Sequence, residues 1–104
     1  MFLVIFEFHF KTMNREASIL SHLQKNVINK FGKEINTATG CDHLANLLSQ
    51  NFNENISSQT LRRFFGLIKS SSKPSFYTLD VLCKFCGYQN FKDFNKSYSD
   101  TELE

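Results

Sequence analysis

A chain of 104 residues fits one small domain with a single core. Its 41% hydrophobic content, twelve Phe among it, excludes global disorder. A net charge of +2 is too close to neutral to announce a nucleic-acid binder, and one Pro with four Gly argue against a turn-rich sandwich or barrel.

The first ten residues alternate. Phe2, Val4, Phe6, Phe8 and Phe10 share one face at period two, with Glu7 and His9 on the other. This is the pattern of a strand or apolar arm over residues 1–13. It is far below the ~20 residues that span a bilayer, and it lacks the basic lead-in and cleavage site of a signal peptide. A lone strand needs a partner. Either it pairs with its twin in a homodimer or it folds back on the helices; a start at Met13 would leave the domain complete without it.

From Asn14 the period becomes helical. Ile19, Leu20, Leu23, Val27 and Phe31 form one stripe, with Asn14 as the expected N-cap and Gly32 as the stop. A second helix is expected from Thr39, whose pairing with Asp42 looks like a capping box. Leu44, Leu47 and Leu48 give its inner face, and it should end between residues 49 and 51. Asn51, Asn53 and Asn55 then suit a loop.

Ser57 caps a third helix reaching about Gly66. Leu61, Phe64, Phe65 and Ile68 fall on one arc; Gln59, Arg62, Arg63 and Gly66 fall on the opposite one. Residues 69–75 form a loop with Pro74. Ser75 caps a fourth helix with Leu79, Leu82, Cys83 and Cys86 inward and Gly87 at its end. Asn90 with Asp93 opens a fifth, anchored by Phe91, Phe94 and Tyr98. The expected fold is all-α: about five short helices over residues 14–98, then an acidic tail over 99–104.

Arg62, Arg63, Lys69 and Lys73 lie in a stretch, residues 55–79, that contains no acid. A capped helix offers its first turns to base edges, where Arg and Gln make bidentate contacts. Gln59, Arg62 and Arg63 are therefore the expected readers of double-stranded DNA. Ser57, Ser58, Lys69, Lys73 and Ser75 are the expected phosphate contacts. Phe76 and Tyr77 beside the loop are the aromatics suited to surface contact. The bland alternative is a solvated charged face.

The run Leu44-Ala45, Ile56 to Arg63 and Pro74 to Tyr88 resembles lambda-repressor-like (Cro/repressor-type) helix-turn-helix domains. It is closer still to a group of Bacteroidota proteins with Ser-x-x-Thr-Leu-Arg/Lys-Arg, then Pro-Ser-x-x-Thr-Leu-Asp, then Gly-Tyr and an aromatic-x-Asp-Phe ending. Here Gly87-Tyr88-Gln89-Asn90-Phe91-Lys92-Asp93-Phe94 supplies that ending. The resemblance implies a bacterial, cytoplasmic DNA-binding regulator acting as a dimer. Two departures stand out. Residues 49–55 make a connection about six residues longer than the tight turn of such domains, and Cys41 stands roughly where they often carry Gln. Those departures, the modest charge and the acidic tail suit an alternative: a helical protein-interaction module that does not bind DNA.

No catalytic constellation, metal set or cofactor motif is visible. His9, His22 and His43 form no cluster. Cys83 and Cys86 form a lone C-x-x-C that reads as two small apolar residues on a buried stripe; Cys41 and His43 complete a zinc set only on paper. The thiols are expected to be reduced and intracellular.

Overall fold

The computed structural model of the protein describes residues 15–69 and 73–103. The segment 1–13, with the strand and dimer expected of it, and the cap expected at Asn14 lie outside the described residues. Five helices and no strand occur among the described residues: α1 (Arg15–Phe31), α2 (Ala38–Phe52), α3 (Ser58–Phe64), α4 (Phe76–Phe85) and α5 (Phe91–Leu103). α2 packs chiefly on α3, α1 on α4, and α4 on α5. None of them is long and apolar enough to cross a membrane.

Each helix contributes fully buried apolar side chains to one core. Leu23 and Val27 come from α1, Leu44 and Leu48 from α2, Leu61 from α3, Val81 and Leu82 from α4, and Phe94 from α5. Burying a side chain of this size contributes roughly 1.5–3 kcal/mol. The expected stripes supply the packed faces, except that Ile68, expected on the inner arc of α3, lies beyond that helix and is only half-buried.

The caps explain the boundaries. Ser57 Oγ accepts the Thr60 amide at 3.0 Å, and Ser75 Oγ accepts the Thr78 amide at 3.2 Å. In each pair the two hydroxyls also share a hydrogen bond, at 2.8 and 3.0 Å. α3 and α4 end alike. Gly66 (φ +77) and Gly87 (φ +99) adopt the left-handed backbone that side chains disfavour. The Leu67 amide then reaches the Arg62 carbonyl and the Tyr88 amide the Cys83 carbonyl, closing two Schellman motifs.

α5 is started from two sides. The Asp93 amide donates to Asn90 Oδ1 at 2.8 Å, and Asp93 Oδ2 accepts the Gln89 amide at 3.4 Å. Asp80 of α4 accepts the Phe91 amide at 2.8 Å, joining the two helices. Phe94 lies 1% exposed, its ring stacked on His22 of α1 and met edge-on by Tyr88.

Three boundaries differ from expectation. The N-cap of α2 is Thr37, not Thr39: its hydroxyl accepts the Gly40 amide at 3.1 Å. Ile35 is buried just before it, which fixes where the chain turns into the helix. α2 also runs on through Phe52, whose ring meets Phe85 edge-on at 5.9 Å. Asn53 (φ 55) ends it, so the connection to α3 spans only residues 53–57 rather than a long loop over 49–55. Finally, α5 continues to Leu103 through most of the expected acidic tail. No Gly or Pro follows Gly87 to stop it.

The caps and core make separable expectations for urea unfolding. Thr37→Ala should cost about 1 kcal/mol as a lost cap, whereas Thr39→Ala, exposed inside the helix, should stay within about 0.5 kcal/mol. Phe94→Ala should cost about 3–5 kcal/mol.

Candidate nucleic-acid interface

α3 turns through roughly 100° per residue, so the burial of Leu61 and Phe64 sends the two intervening arginines to opposite flanks. Arg62 turns toward α2. Its Nη2 lies 3.7 Å from Asp42 Oδ1, with the two side chains 35% and 54% exposed. A pair this exposed contributes about 0–1 kcal/mol. Arg62 Nε is buried and takes no hydrogen bond, as is Ser58 Oγ one turn earlier. Gln59 and Ser57 are exposed.

Arg63 turns the other way, into a cleft of about 690 Å³ between α1, α3 and the start of α4. Lys69 and Lys73, from the two ends of the connecting loop, line the same cleft. Thr60, Ser75, Thr78 and Gln24 add polar groups, and Leu20, Phe64 and Pro74 form an apolar wall. Among the described residues, no acid lines it. The eight residues expected to touch DNA thus divide. Arg63, Lys69, Lys73 and Ser75 converge on the cleft; Ser58 and Arg62 face α2; Ser57 and Gln59 stand on the exposed start of α3.

Gln24 is the member that sequence reasoning did not find. Its Nε2 donates to the Phe64 carbonyl at 2.7 Å, forty residues away, tying α1 to the end of α3. No local pattern signals such a contact. Asp42 and Glu54 are the neighbouring acids. Glu54 accepts the Tyr77 hydroxyl at 3.1 Å and pairs with Lys84 at 3.5 Å, so an acid sits beside the outer face of α4. Phe76 is 76% exposed there, and Tyr77 is also exposed.

No protein-family model, curated protein or solved structure matches the chain. Function therefore has to come from the geometry.

The thiols sit in the core or against it. Cys41 and Cys83 are buried and Cys86 half-buried. Burial pushes Cys83 up to about 12, with smaller contributions from Cys86, Asp80 and Asp93. Burial likewise raises Cys86 to about 11 against the opposing charge of Lys30. Cys41 is raised by burial, with Arg62 opposing and Asp42 assisting. Such thiols stay protonated at neutral pH and make poor nucleophiles or ligands. Among the described residues, no three of His, Cys, Asp and Glu are placed to hold a metal ion.

This protonation carries a pH dependence. The folded thiols bind protons more tightly than the unfolded ones, whose ordinary value is 9.0. Their contribution is complete below that value and is lost as pH rises from about 9 toward 12, by up to about 1.4 kcal/mol per pH unit per thiol. Urea unfolding at pH 8 and pH 10 should show a larger loss for the native protein than for a Cys83→Ala/Cys86→Ala variant.

Proposed function

We propose that this protein binds double-stranded DNA and acts as a small bacterial transcriptional regulator. One observation carries the reading: Arg63, Lys69 and Lys73 line a single cleft at the N-terminal end of α4. Cations gathered beside a helix N-terminus suit backbone phosphates. Gln59 on the exposed first turn of α3 is available to base edges, flanked by Arg63. Arg62 joins them once its weak pair with Asp42 opens. The α2–α3 pair joined by residues 53–57 is consistent with the helix-turn-helix resemblance. A homodimer through residues 1–10 would present two copies of α3 to two half-sites.

Fluorescence anisotropy with a duplex of about 20 base pairs tests this. The native protein should bind at low salt, with log affinity falling linearly against log salt. Changing Arg63, Lys69 and Lys73 to Ala should weaken binding and flatten that slope by about 2 to 3. Asp42→Ala should strengthen binding by releasing Arg62. No binding by the native protein in low salt, or an unchanged slope in the triple variant, defeats the proposal.

A second reading has its own support. Asp42 beside Arg62, and Glu54 beside Tyr77 and Lys84, interrupt the positive charge of α3 and α4. A helical module that holds a protein partner tolerates such breaks better than a DNA reader does. Capture of a protein and no DNA from the native cell would favour it.

A further inference from the structure

We infer that the first turn of α4 is a platform for single-stranded DNA, on which Phe76 and Tyr77 stack unpaired bases. These two residues open the helix, and they are 76% and 48% exposed. Neither belongs to the core. The fold does not need rings there: Ser75 and Thr78 make the cap, and Leu79, Leu82 and Cys83 are among the side chains that make the buried face. Aromatic rings held at the surface offer faces on which any base can stack.

The two rings leave the helix about 100° apart, so they meet different bases rather than enclosing one. The Tyr77 hydroxyl donates to Glu54 at 3.1 Å, which ties that ring down at one end. Phe76 lines a second recess, of about 630 Å³, between α1, α4 and α5. Among the described residues its lining is mostly apolar, with Ile19 and Leu79 buried and Phe91 half-buried. An uncharged base suits such a lining, whereas a phosphate would lose its hydration there. Leu20 and Pro74 line both this recess and the cleft that holds Arg63 and Lys69. A surface for bases thus adjoins a surface for phosphates, the combination by which proteins hold single strands. A duplex cannot use the first of these, because its base faces are covered by their neighbours in the stack. The inference goes beyond duplex binding and does not depend on it, although both ligands would draw on Arg63 and Lys69.

Fluorescence anisotropy of the full chain at low salt tests it with three labelled probes. One is a single strand of about 16 thymidines. The second is an abasic strand of the same length and charge, and the third a duplex of that length. The thymidine strand should bind saturably, and the abasic strand about tenfold more weakly. Phe76→Ala should weaken the thymidine strand about tenfold, with its salt slope unchanged, and leave the abasic strand as it was. Phe76→Tyr, which keeps a ring, should retain native affinity. Changing Arg63 and Lys69 to Ala should weaken both strands and flatten the slope by about 1.4. Overturning results are the absence of saturable strand binding, an abasic strand bound as tightly as the thymidine strand, or a Phe76→Ala variant that binds like the native protein or loses both strands equally. Duplex binding without strand binding removes this inference alone. Strand binding without duplex binding removes the duplex proposal alone.

Discussion

A helix of seven residues is not stable in water, because nucleation outweighs the few hydrogen bonds it gains. α3 exists because Leu61 and Phe64 are held in the core and because Ser57 and Gly66 close its two ends. That constraint determines everything its surface can do. With Leu61 and Phe64 inward, Arg62 has to lie along α2 and Arg63 has to enter the cleft. Two adjacent arginines that look equivalent in sequence therefore serve different neighbours. The first is half-buried with an unbonded Nε, whereas the second is exposed among other cations.

Much of the fold was legible because its signals are local. The stripe of Leu23 and Val27, the Ser-x-x-Thr caps at Ser57 and Ser75, and the Asn90–Asp93 start each need only a few residues to recognise. The misplaced boundaries had several local solutions. Thr37 and Thr39 are both good caps, and the burial of Ile35 selected the first. Asn51, Asn53 and Asn55 could each have ended α2, and the contact of Phe52 with Phe85 selected the second. The cleft was half legible. Its cations stood out as an acid-free run, but Gln24 entered through a tertiary contact that no periodicity encodes.

The residues that carry most of the family resemblance turn out to build a corner. Thr78 shares the cap hydroxyl, Leu79 is buried, and Asp80 holds the Phe91 amide. Gly87 makes the left-handed turn, Tyr88 meets Phe94 edge-on, and Asp93 bonds back to Gln89. Each is occupied in joining α4 to α5. Residues spent on joining two helices say little about chemistry, because one scaffold can host many functions. Arg63, Lys69, Lys73 and Gln24 line the cleft, and most of them lie outside that wording.

The pairing of helices also says how the domain is closed. α2 with α3, and α4 with α5, are neighbours in sequence and pack as local helical hairpins. α1 belongs to neither hairpin. It packs on α4, stacks His22 on Phe94 of α5, and reaches α3 through Gln24. It is the clasp between two units, joined to them by contacts distant in sequence. Since α1 also supplies one side of the cleft, neither hairpin contains the site by itself: its walls belong to three separate stretches of chain.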